Sequence, residues 1–219
     1  MKNYSGKRWV GMLAGNMGLA IGVCIFRLSG MGNDPFSGVV MSLAALVGVS
    51  YGMFLMIMNC FVFLFEFLLG RKYIGPGTFV NWFLIGIIVD FLYPRITGTF
   101  GTPQLLWQSL ILLVVGVLVT SFSVSVYQGA KAGISPYDSS ALIIQDKTKL
   151  PYFWCRISLD SFCAMVCFLT GGIVGLGTLA CALGLGPFIA FFDRHFTDKW
   201  MKSGLVEKKP LQKIKFGIK

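Results

Sequence analysis

The sequence predicts an all-α membrane protein: six transmembrane helices built as two inverted three-helix repeats, each with a short re-entrant or interfacial helix after its first span. Three observations lead there. The first is composition: 55% of the 219 residues are hydrophobic and 13% are charged, against roughly 25% charged in a soluble domain. The second is internal likeness. Gly32-Asn33-Asp34-Pro35-Phe36 corresponds to Gly133-Ile134-Ser135-Pro136-Tyr137, and Gly75-Pro76-Gly77-Thr78 to Gly175-Leu176-Gly177-Thr178, with Gly86 and Phe91 matching Gly186 and Phe191. The third is that sixteen of nineteen Lys and Arg residues fall on one side of a six-span chain.

Residues 1–8 carry Lys2, Lys7 and Arg8 and form a cytoplasmic N-terminus. The first repeat occupies 9–95. Its first span, 9–29, is long enough at 1.5 Å per residue to cross a hydrocarbon core of about 30 Å. The turn that follows is a helix start: Asp34 is placed to cap, and Pro35 at the first helical position loses no useful N–H. The helix it opens is expected to be about 22 Å long, short for an untilted crossing. A crossing by 36–50 would make seven spans and put the basic tail on the outer side, against its charge. Spans 51–70 and 77–95 complete the repeat. Between them, Gly75 and Gly77 permit a tight turn and Thr78 is placed to cap the next helix.

The second repeat occupies 104–194, with spans 104–127, 152–171 and 177–194. Ser135 and Pro136 repeat the helix start, and Gly175, Gly177 and Thr178 repeat the tight turn. The helix from Pro136 carries Asp138, Gln145, Asp146, Lys147 and Lys149, which do not belong in lipid. Three spans per half make the halves cross in opposite senses, an arrangement common in small transporters. Residues 195–219 form a basic cytoplasmic tail. It has no aromatic-basic platform, so it suits weak attraction to anionic lipid and not nucleic acid. By the positive-inside rule both termini are cytoplasmic.

The Gly-x-[Asp/Ser]-Pro-aromatic turn, the Gly-x-Gly-Thr turn and the Gly86-Ile87-Ile88-Val89-Asp90 stretch together resemble the YczE/YyaS/YitT-type bacterial membrane proteins. The resemblance covers about 9–195. Ala190 stands where the second half would repeat Asp90. The family implies a multi-pass protein of the bacterial plasma membrane with no catalytic residues to carry over. Some members are linked to regulation of secondary metabolite production.

Polar residues inside spans are the candidate site. Asp160 lies near the middle of its span with Arg156 one turn earlier on the same face. The repeat sets Asn59 opposite Asp160, and such a symmetry-related pair at the midplane is where an inverted-repeat transporter binds its solute. Ser121 and Ser125 share a face of the fourth span, either bonding to their own helix or lining a polar path. Arg27 and Asp90, toward the outer ends of their spans, form either an outer gate pair or two snorkelling groups. Glu66 reads as a local partner for the loop containing Arg71. The Gly-x-Gly-Thr turns read as tight turns whose helix N-termini can also face an anion.

The function expected is a small secondary transporter or channel for a polar solute or ion. The alternatives are a regulatory or scaffold protein acting through its basic tail, and the capture subunit of a larger transporter. One histidine and the lack of a nucleophile elbow, zinc motif or P-loop argue against an enzyme. No cofactor or metal is expected, since the six cysteines form no Cys-x-x-Cys pair and suit packing. Glycine-rich helix faces suit contacts within the chain or a homodimer.

Overall fold

The computed structural model describes residues 6–202. Residues 1–5 and 203–219, including most of the expected tail, lie outside the described residues. Every regular element described is helical: α1 (Gly6–Ser29), α2 (Pro35–Val47), α3 (Tyr51–Leu69), α4 (Pro76–Phe100), α5 (Leu106–Gly129), α6 (Pro136–Thr148), α7 (Tyr152–Leu169), α8 (Leu176–Phe192) and α9 (Asp198–Lys202). Six are long and apolar enough to cross a membrane, α8 doing so together with its continuation to Met201. This is a multi-pass membrane protein.

The short helices start and stop where local chemistry dictates. Asp34 accepts from the Ser37 N–H at 3.0 Å, and Ser135 accepts from the Asp138 N–H at 3.1 Å. Pro35 and Pro136 occupy the first turn. Each helix has 13 residues, about 20 Å. Each ends at a residue in the left-handed region, Gly48 and Lys149. Each is followed by a long helix, α3 or α7, that begins three or four residues later.

Two differences from the expected boundaries have visible causes. α4 runs past residue 95 to Phe100 because Pro94 sits within it without ending it. α8 does not stop near 194: a π-turn over Asp193–Thr197 carries it into α9. The Ser125 hydroxyl of α5 lies 2.6 Å from both Asp193 Oδ1 and Thr197 Oγ1, holding the widened turn in place.

α1 and α5 form the centre. Half of each span window is buried, against 17–22% in the other four. Small residues set their approach: Gly15 faces Tyr127 and Ser123, Gly22 faces Thr120, and Gly116 faces Phe26. The remaining helices wrap this pair, and α2 packs on α7 while α6 packs on α3. Large apolar side chains such as Phe61, Leu68, Val114, Phe162 and Phe168 point outward, as lipid requires.

The two tight turns dock on one another's halves. The Gly77 N–H donates to the Ala132 carbonyl, and the Gly177 N–H to the Met31 carbonyl, both at 2.8 Å. Thr78 Oγ1 accepts from the Gly75 N–H and donates to the Ile134 carbonyl at 2.8 Å. A Cβ at Gly75 would collide with the Ala132 carbonyl, and one at Gly177 with the Gly32 carbonyl. Glycine is required here by close approach of backbone to backbone.

Candidate functional site

The densest buried polar cluster forms where α6 and α7 meet the end of α5. Asp160 lies halfway along α7 and is 2% exposed. Its Oδ2 accepts from Arg156 Nε at 3.2 Å, and its Oδ1 from the Tyr137 hydroxyl at 2.6 Å. Arg156 also donates from Nη1 to Asp138 Oδ1 at 2.5 Å. Asp138, 9% exposed, accepts further from the Tyr127 hydroxyl and from Gln128 Nε2. The guanidinium lies over the Tyr137 ring, 4.9 Å from its centroid, and that ring stacks on Phe36 of α2 at 4.4 Å. One cation thus holds two carboxylates, and the trio carries one net negative charge when all three are ionised.

At three corresponding positions the first half carries no charge. Ser37, Leu55 and Asn59 stand where the second half has Asp138, Arg156 and Asp160. There the Ser37 hydroxyl simply meets the Tyr51 hydroxyl at 3.2 Å. Three positions therefore differ together: one guanidinium and two carboxylates, so the buried cation comes with its counter-charges.

The expected Arg156–Asp160 pair is present. Asn59 is buried, but among the described residues no hydrogen bond joins it to Asp160. Ser121 is buried with its hydroxyl unpartnered, and Ser125 is committed to the π-turn; neither reaches Asp160. Arg27 and Asp90 make no ion pair among the described residues. Arg27 lies 3.9 Å over the Tyr93 ring. Both oxygens of Asp90 accept from the Gly52 N–H, at 3.0 and 3.1 Å, so this carboxylate caps the start of α3. Asp34 and Ser135 cap the helices that Pro35 and Pro136 open; Gly75, Gly77, Thr78 and Gly177 make the docking contacts, and Gly175 and Thr178 lie against Met31 and Gly32. Glu66 does not partner Arg71, whose Nε donates to the Phe67 carbonyl while Glu66 turns inward.

Tyr137, Asp138, Tyr127 and Gln128 belong to the cluster and are not evident from spacing, because they converge from two helices. The usable signal is the joint change from Ser37, Leu55 and Asn59 to Asp138, Arg156 and Asp160. An apolar groove of about 560 Å³ between α5 and α8, lined by Leu113, Val117, Leu179 and Phe188, lies apart from the cluster and offers no polar group to a solute. Among the described residues no three His, Cys, Asp or Glu side chains come together to hold a metal ion.

A sequence profile described as "Family of unknown function (DUF6198)" matches residues 6–194. The chain is 28% identical over 195 residues to the "Uncharacterized membrane protein YczE" of Bacillus subtilis, covering 87% of each. It is 28% identical over 174 residues to an "Uncharacterized protein" of Haemophilus influenzae, covering 80% of this chain and 78% of the relative. It is 25% identical over 185 residues to the "Uncharacterized protein YyaS" of Bacillus subtilis, covering 83% of this chain and 92% of the relative. No solved structure matches the chain.

Proposed function

Because the chain belongs to DUF6198, a family of unknown function, we propose an activity from its own residues: a small secondary transporter or channel for a polar solute or ion. The observation that carries this reading is the Arg156–Asp138–Asp160 trio, three ionisable side chains gathered in the interior of a membrane protein. An ionisable group inside a membrane is costly and marks a pathway or a binding site by default. The trio sits where the halves meet, since the Tyr137 ring above it stacks on Phe36 of the other half.

The halves are read as inverted repeats in a bacterial plasma membrane, with both termini cytoplasmic. Support comes from the matched helix starts, the reciprocal docking of the two glycine turns, and the packing of each short helix on the long helix of the other half. In this reading, rocking one half against the other exposes Arg156 and its carboxylates to either side. The unbalanced negative charge of the trio favours a cation or a proton among the species bound. Arg156 offers its remaining N–H donors to an anionic or carbonyl group on the solute.

The test is thermal stability of the detergent-purified protein against a panel of ions, amino acids, nucleosides and vitamins, with Asp160→Asn alongside. A ligand at a hundred times its Kd stabilises by about 2.7 kcal/mol. A shift specific to one solute class and lost in Asp160→Asn is expected. No shift across the panel, with both proteins folded, would overturn the reading.

A further inference from the structure

Glu66 lies in the last turns of α3 and is 0% exposed. Among the described residues neither carboxyl oxygen has a hydrogen-bond partner. α6 from the other half covers it: Ile143 packs against Gly70, so closely that a Cβ there would overlap the isoleucine. Ser139 of α6 faces the carboxyl, but its hydroxyl donates to the Pro136 carbonyl at 2.9 Å. With that hydroxyl proton on Pro136, a carboxylate has no committed donor here, whereas a carboxylic acid can donate to the Ser139 oxygen. A bare buried carboxylate is far costlier than the neutral acid.

Among the described residues no charge faces Glu66 from the elements packed on α3. On α6, Asp138 is held by Arg156, Asp146 by Lys72 and Tyr73, and Lys147 is exposed. On the turn after α3, Arg71 lies over the Phe67 ring. α2 carries no ionisable side chain. On α4, Asp90 is at the other end of α3 on Gly52, Tyr93 lies under Arg27, and Arg95 lies over Phe91. The matching place in the second half pairs Cys167 with Gly38, so the carboxyl is present on one side only.

We propose that Glu66 is a proton-binding site, holding its carboxyl as the acid while α6 covers it and releasing the proton when α6 withdraws from α3. On release the O–H bond breaks, the proton passes to water and a hydrated carboxylate remains. Movement of α6 rests on the transport reading; occupancy of the site by a proton does not.

Infrared difference spectroscopy of the protein in lipid tests occupancy. At neutral pH the wild type shows a protonated-carboxyl C=O band that shifts in D2O, and Glu66→Gln lacks it; identical spectra would overturn the proposal. Added sodium or potassium at fixed pH leaves the band in place; its loss would assign a metal cation and overturn the proton. Release is read by labelling Ile143→Cys with a charged thiol reagent. Labelling rises with pH when Glu66 is present, beyond the rise seen with Glu66→Gln; superimposed pH curves would overturn coupling to α6. Failure of every panel solute to bind, with the band present, removes the transport reading and leaves the proton site standing.

Discussion

Phe36 and Tyr137 hold corresponding places in the two halves of the chain, and they stack on each other with ring centroids 4.4 Å apart and planes 13° from parallel. Contact between equivalent residues places this stack where the halves meet. It joins a neutral surface on α2 to the charged cluster on α6 and α7, since the Tyr137 hydroxyl donates to Asp160.

The ring and the hydroxyl therefore have separable roles. Phe36→Tyr keeps the stack and is expected to change stability little. Phe36→Leu loses the aromatic pairing, about 0.5–1.5 kcal/mol beyond area. Tyr137→Phe keeps the stack but removes a donor from buried Asp160, about 1–3 kcal/mol. Thermal unfolding in detergent checks the order.

The first half supplies a template for removing charge from the second. Arg156→Leu alone leaves Asp138 and Asp160 unpaired and is expected to cost about 3–5 kcal/mol. The triple variant Asp138→Ser, Arg156→Leu, Asp160→Asn copies Ser37, Leu55 and Asn59. It is expected to melt above Arg156→Leu while losing every ligand response. A triple variant no more stable than the single one would show that the halves are not interchangeable at this place.

Glycine substitutions separate docking from helix packing. Gly75→Ala and Gly177→Ala force backbone apart and are expected to destabilise by about 1–3 kcal/mol or more. Gly184→Ala, in α8 with open space at its Cβ, is expected to be neutral or to stabilise by up to about 1 kcal/mol. Melting temperatures of the three variants measured side by side decide the matter.

A salt-sensitive strap also ties the halves. Asp146 accepts from Lys72 Nζ at 2.5 Å and from the Tyr73 hydroxyl at 2.8 Å. Burial pushes the Asp146 carboxyl up, but the Lys72 and Tyr73 donors outweigh it and leave it below the usual carboxylate range. Its stabilising contribution is therefore complete above the unfolded value of about 3.9 and fades as pH falls through the lower folded value. The pair is exposed, so the effect stays within about 1 kcal/mol. Wild type and Asp146→Asn are expected to differ at neutral pH and low salt. Their melting temperatures converge in acid, and also in high salt.

The spans and helix starts were readable because each depends on neighbours in sequence: apolar length for α1 and α3, and an Asp-Pro or Ser-Pro step for α2 and α6. The Arg156–Asp160 pair was readable for the same reason, being one helical turn apart. Asp138 was not, because its link to Arg156 depends on how α6 lands on α7. Arg27 and Asp90 looked complementary by depth, yet an aromatic ring and a free helix start lay nearer to each. Proximity in sequence pairs Glu66 with Arg71, but the turn after α3 swings the arginine back over Phe67. Repeat offsets disclosed which segments are alike. They did not disclose that each glycine turn finds its acceptor in the other half.

That exchange of acceptors bears on biosynthesis. When α4 leaves the ribosome, the carbonyls that receive Gly77 and Thr78 belong to residues 132 and 134, which have not yet been translated. The N-terminal half must wait in the bilayer with its turn incomplete until α5 and the start of α6 arrive. Two fragments divided near residue 103 would each lack partners, and they would have to be made together to yield a folded protein.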